Sequence, residues 1–155
     1  MKHAGLVSSL VFGCLLTATA HAEDTHTVSA APGKTKVGTP ATLAVTIEGK
    51  NGWHLNAEAP ITMKLSPSAG VTVPKDKLGR GDLAESTQQR ARFDVTATPH
   101  DVGPKRIEAE ARFVMCQETA CKPVKETVVL ALEALASEAP GDGKAKAKSK
   151  AGKRD

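Results

Sequence analysis

Residues 105–115 read "KRIEAEARFVM". Ile107, Ala109, Ala111 and Phe113 alternate with Glu108, Glu110 and Arg112. A period of two places the apolar set on one face and the charged set on the other, which is the pattern of a half-buried β-strand. The same period recurs in "ATLAVTIEG" (41–49), where Leu43, Val45 and Ile47 alternate with Thr42, Thr46 and Glu48. It recurs again in "RARFDVTAT" (90–98), through Ala91, Phe93, Val95 and Ala97. "KETVVLALEAL" (125–135) is a more continuous β-rich run, in which Leu130 to Ala134 would also tolerate a short helix. Ile61–Leu65 and Val71–Val73 are shorter strand candidates.

Turn residues separate these runs: "EGKNG" (48–52), "SPSAG" (66–70), "LGRGD" (78–82) and "TPHDVGP" (98–104). Strands at this spacing, with no helical period between them, predict an all-β, antiparallel sandwich. Aromatic residues are scarce, with three Phe, one Trp and no Tyr. The core must therefore be built from Val, Leu, Ile and Ala, at about 25 cal/mol for each Å² of apolar surface buried.

Both ends of the chain separate from this domain. Lys2 precedes an apolar run from Ala4 to Ala20 without an acidic residue, and Ala20-His21-Ala22 is a small-x-small site. Residues 1–22 are expected to be a cleaved secretory signal peptide, which makes the protein periplasmic or secreted. Phe12 is bulky where a lipidation motif ending at Cys14 needs a small residue. Residues 137–155, "SEAPGDGKAKAKSKAGKRD", hold no large apolar residue and are expected to be a disordered basic tail.

The net charge of +4 is accounted for by that tail (+3) and Lys2 (+1), so residues 23–136 carry 14 basic and 14 acidic side chains. A neutral single domain does not predict nucleic-acid binding. The tail predicts at most weak contact with an anionic surface. No Ser/His/Asp pattern, phosphate loop or carboxylate pair points to a hydrolase or transferase, and no cofactor is expected.

The chemistry concentrates in "RFVMCQETACKPVKETV" (112–128). Removal of the signal leaves two cysteines, Cys116 and Cys121, in a compartment that permits disulfides. Gln117 to Ala120 would form a four-residue hairpin loop, whose flanking residues face each other within reach of a disulfide. The ring is small, and its closure is worth about 2 kcal/mol in the chain-entropy account. Lys122 and Lys125 favour a thiolate at Cys121, whereas Glu118 opposes it. Three roles stay open on these residues: a staple, a redox couple, and a soft copper site in which Met115 and His54 or His100 join the cysteines. No CxxC or close His spacing predicts a zinc site. His26 and His100 read as solvated surface residues, and Trp53 as core packing or as a flank to the cysteines.

"GWHLNAEAP" (52–60) and "FVMCQETACKP" (113–123) together resemble the periplasmic N-terminal domain of the DsbD thiol:disulfide interchange proteins and its solitary secreted relatives. The resemblance implies an immunoglobulin-like sandwich and a reversible disulfide at its edge. It implies that Cys116 and Cys121 are the redox pair, with Cys121 the attacking thiol, and that Trp53 and His54 lie near the strand that flanks them; Lys122 is expected to support them through its charge. It further implies that "DKLGRGDLAES" (76–86) caps the disulfide. Here four residues separate the cysteines, where the best-known members have five, and the cap offers Leu78 and Leu83 in place of an aromatic. The membrane and thioredoxin-like domains that feed electrons to that family are not in this sequence. Any thiol:disulfide interchange activity is thus expected to depend on a thioredoxin-like or other envelope redox protein.

Overall fold

The computed structural model describes residues 24–137. The expected signal peptide and all of the expected tail beyond Ser137 lie outside these residues. The chain order is β1 (His26–Ala30), β2 (Gly33–Lys36), β3 (Ala41–Gly49), β4 (His54–Leu55), β5 (Thr62–Pro67), β6 (Val71–Thr72) and β7 (Lys77–Gly79). A single 3-10 turn at Arg80–Asp82 leads to β8 (Leu83–Ser86), β9 (Arg90–Pro99), β10 (Gly103–Gln117) and β11 (Ala120–Leu135).

Two sheets form. One runs β1-β3-β9, with β6 and β8 both pairing β9. The other runs β2-β11-β10-β5-β7, with β4 also on β10. This is the immunoglobulin-like arrangement, in which strands A, B and E share one sheet and C, F and G the other. Here β1, β3 and β9 hold the first set of places, and β5, β10 and β11 the second.

The period-two segments behave as expected. Leu43, Val45 and Ile47 of β3, Ala91, Phe93, Val95 and Ala97 of β9, and Ile107, Ala109, Ala111 and Phe113 of β10 are all buried between the sheets. The helix-tolerant C-terminal run is strand throughout. Leu130, Leu132 and Ala134 alternate inward, whereas Val129 and Leu135 face out at 45% and 38% exposure. It pairs with β10 along its length and with β2 from Leu132 to Leu135, and its alternation fits the pleat.

One pairing departs from the antiparallel pattern of the rest. The sandwich is antiparallel except where β2 runs parallel to β11, from Leu132↔Gly33 to Leu135↔Lys36. After β1 the chain leaves the first sheet at Ala31-Pro32 and joins the second as its edge strand. Pro32 has no N–H to donate to a ladder, which suits it to this crossing.

A disulfide hairpin on the outer face of the sheet

Strands β10 and β11 form a continuous antiparallel ladder from Gly103↔Ala134 to Gln117↔Ala120. Gln117 and Ala120 belong to the ladder, so the turn is Glu118-Thr119, two residues and not four. Cys116 and Cys121 are direct register partners and are joined by a disulfide, with their Cα atoms 4.1 Å apart. That separation is the close spacing of a pair that does not exchange ladder hydrogen bonds, where side chains lie nearest.

Alternation fixes the face on which the bridge sits. Phe113 and Met115 point into the core at 3% and 0% exposure. Cys116 therefore points to the opposite, outer face, and register partners share a face. The bridge is thus outside the sandwich core. Its two halves differ in access: Cys116 is buried at 6% exposure, while Cys121 is exposed.

The other flank of Cys116 is β4. His54 is the register partner of Cys116 and Leu55 that of Met115. A row of three outer-face residues, His54, Cys116 and Cys121, thus crosses three strands. The turn before β4 builds this position. Asn51 and Gly52 both have positive φ, at 52° and 81°, and the Trp53 N–H donates to the Lys50 carbonyl at 2.9 Å. This is the I′ geometry that an Asn-Gly pair supplies at lowest cost. Gly49 lets the turn fold back, since a Cβ there would stand 2.1 Å from the Trp53 carbonyl oxygen.

Trp53 itself is core, at 1% exposure. Lys122, on the inner face of β11, places its ammonium 4.6 Å from the centre of the indole ring. Trp53 is thus a core residue, touched at its ring by the side chain that follows Cys121. The Trp53 indole N–H finds no acceptor among the described residues.

Residue Asn56, just past β4, was not singled out by sequence. Its Nδ2 donates to Cys116 Sγ at 3.5 Å, sulfur being a larger acceptor than oxygen. No spacing rule links Asn56 to a cysteine 60 positions away. Farther along the outer face, Val114 opposes Pro123 and Arg112 opposes Lys125. With Pro60 and Thr62 these side chains line a groove of about 420 Å³ beside the bridge. The Lys125 ammonium and then the Arg112 guanidinium hold the Glu110 carboxyl below the usual carboxylate range.

Several expected neighbours lie elsewhere. The "DKLGRGDLAES" segment does not cap the disulfide. Leu78 pairs with Met63 and is buried in the core, and Leu83 pairs with Phe93 on the other sheet. The copper donor set does not converge, because Met115 faces inward while the cysteines face outward. His100 lies at the far end of β9, where its Nε2 meets Thr72 Oγ1 at 2.5 Å. Nor is His26 a free surface residue: it packs edge-on to Phe113, with ring centres 5.1 Å apart, and its Nε2 lies 3.4 Å from Glu126 Oε1.

No protein-family model matches the chain, and no curated protein matches it. Among solved structures, AggA, the major subunit of aggregative adherence fimbriae type I from Escherichia coli, aligns at a TM-score of 0.38 and 10% identity, over 76% of this chain and 100% of that one. A PapD-like domain of human CEP192 aligns at a TM-score of 0.43 and 11% identity, over 85% and 99% of the two chains. WR4, an MSP family member from C. elegans, aligns at 0.40 and 10%, over 70% and 97%.

Proposed function

We propose that this chain is a periplasmic or secreted thiol–disulfide electron-transfer module, in which Cys116 and Cys121 cycle between disulfide and dithiol. One observation carries this reading. The bridge is built on the outer face of the sheet, outside the core, with Cys121 exposed and Cys116 buried. A bond whose purpose is reinforcement gains most by closing a long loop or linking the sheets. This one joins two residues that the ladder already holds face to face.

Exchange requires a partner thiolate to reach one sulfur in line and the other sulfur to leave. Cys121 is the accessible sulfur, and Lys122 and Lys125 follow it in sequence. Trp53 and Lys122 support the hairpin from below, and His54 flanks Cys116 on its free side. The partner is a thioredoxin-like or other envelope redox protein that supplies or accepts two electrons.

A second reading draws on the groove beside the bridge. In it the sandwich binds another envelope protein and the disulfide only reinforces the hairpin. Equilibration in a graded glutathione buffer separates the two. A reduction potential in the range of cellular redox couples supports electron transfer. A potential below about −300 mV marks a structural bond and overturns the electron-transfer reading.

A further inference from the structure

We propose that Asn56 is a catalytic residue of this disulfide: its side-chain amide holds Cys116 as the leaving thiolate and so directs the incoming partner to Cys121. The inference rests on the thiol–disulfide reading and names a device of that same site.

The amide's orientation is set by its surroundings. Asn56 Oδ1 accepts hydrogen bonds from the backbone N–H groups of Glu58 and Ala59, at 2.8 and 3.1 Å. That turn fixes the oxygen toward the 58–59 backbone, so the NH2 end is the one on Cys116 Sγ. The segment itself is anchored on both sides. The Asn56 N–H donates to the Val114 carbonyl of β10 at 2.9 Å, and the Leu55 N–H donates to the Gln88 carbonyl at 2.7 Å. The donor is therefore in place before any charge develops on the sulfur, as in other preorganised anion-stabilising sites.

Cys116 needs such a donor. It is buried at 6% exposure, and burial disfavours a thiolate unless a hydrogen bond compensates. In the reductive direction the donor is a partner dithiol of the thioredoxin-like class. One partner thiolate attacks Cys121 Sγ and forms a mixed disulfide. The Cys116–Cys121 bond breaks, and its electron pair passes to Cys116 Sγ, where the Asn56 Nδ2–H faces it. The second partner thiol gives its proton to solvent and attacks the partner's own sulfur in the mixed disulfide. Cys121 then leaves as a thiolate. The partner ends as a disulfide, this chain as a dithiol after uptake of two protons, and two electrons have moved. The leaving thiol's acidity helps set the rate of the first step, and Asn56 acts on that acidity.

Asn56→Asp is the discriminating variant. A carboxylate keeps an acceptor for Glu58 and Ala59, and so keeps the turn, but sets negative charge against the Cys116 sulfur. Reduction of the disulfide by dithiothreitol is followed in the unaltered chain, Asn56→Asp and Asn56→Ala. The Cys116 titration is read from thiolate absorbance in a Cys14→Ser, Cys121→Ser background. Asn56→Asp is expected to slow reduction about tenfold and to move the Cys116 titration upward, with Asn56→Ala intermediate, as follows from replacing a charge-stabilising hydrogen bond by repulsion. Rates within about twofold of the unaltered chain, with the titration unmoved, overturn the proposal. Should a variant fold poorly, nuclear magnetic resonance of the unaltered protein decides. The Asn56 side-chain amide protons must shift on reduction and follow the Cys116 titration; unshifted protons overturn the role. The potential measured in glutathione buffer is independent of these outcomes, so failure of the electron-transfer reading and failure of the Asn56 role are told apart.

Discussion

Cys116 and Cys121 stand directly opposite each other in the β10–β11 ladder, 4.1 Å apart at Cα, and the ladder continues beyond them to Gln117↔Ala120. The backbone alone therefore brings the two sulfurs together, and the bond closes a short ring in a hairpin that backbone pairing already defines. Most of the core lies farther along the sheets, in Leu43, Ile47, Phe93, Ile107 and Leu130.

It follows that reduction should leave the sandwich folded. The expected loss is about 2 kcal/mol, the entropy of a ring of this size, against a total stability of about 5–15 kcal/mol for a domain. Urea unfolding with and without reductant measures it through the shift in midpoint at constant slope. Complete unfolding on reduction would make the bridge a structural necessity.

Trp53 offers a contrast between packing and polar contact. It is buried at 1% exposure, with its indole nitrogen unpartnered among the described residues. Trp53→Ala should cost about 3–5 kcal/mol, as large-to-small core substitutions do. Lys122→Ala removes the ammonium over the ring together with its exposed alkyl stem and should cost about 0.5–1 kcal/mol. Thermal unfolding of the two variants gives the ratio, and equal losses would mean that Lys122 packs as an essential lid on the indole.

The ion cluster on the outer face gives a pH dependence with a definite sign. Glu110 meets Arg112 at 2.8 Å and Lys125 at 2.9 Å, and these partners lower its pKa. A carboxyl whose folded pKa is depressed stabilises the fold above its unfolded value, about 4.3, and loses that contribution as pH falls through the folded value. The Tm difference between the unaltered chain and Glu110→Gln should therefore be present at neutral pH and shrink as pH falls below about 4. Because the cluster lies at the solvent-facing side of the sheet, with Arg112 and Lys125 exposed, added salt should shrink it as well. A difference that grows on acidification would contradict this.

The central strands were legible in sequence because both of their faces are used. Ala91, Phe93, Val95 and Ala97 repeat every second position, and the register with β3 keeps them on one face. The edges were not. "HTVSA" of β1 and "GKTK" of β2 have little apolar alternation, and ladder hydrogen bonds to stronger neighbours define them. The hairpin is legible in the cysteine spacing, but that spacing predicts a turn two residues too long, since the sequence does not reveal that Gln117 and Ala120 pair. The register of His54 opposite Cys116 emerges only with β4 in place. Asn56 escaped altogether. Its role is a tertiary contact between a loop and a strand, and nothing local to Asn56 marks it.

The exposure difference between the two cysteines leads to the last prediction. In the oxidised protein a partner thiolate reaches Cys121, which is exposed, far more readily than Cys116 at 6% exposure. On the proposed electron-transfer reading, the same asymmetry in the reduced protein would make Cys121 the thiol that attacks an acceptor disulfide and Cys116 the one that resolves the adduct. Cys116→Ser removes the resolving thiol and leaves the accessible one, so mixed disulfides with a thioredoxin-like envelope protein should accumulate. Cys121→Ser leaves only the buried thiol, and adducts should be at least about tenfold fewer, since thiol exchange depends on access as well as on acidity. Non-reducing electrophoresis of both variants, expressed in their native envelope, reads the adducts directly, and mass spectrometry assigns the linked cysteine. More adducts through Cys116 than through Cys121 would reverse the order of attack. No adducts in either variant, with a wild type that unfolds on reduction, would leave the bridge as reinforcement for the β10–β11 hairpin.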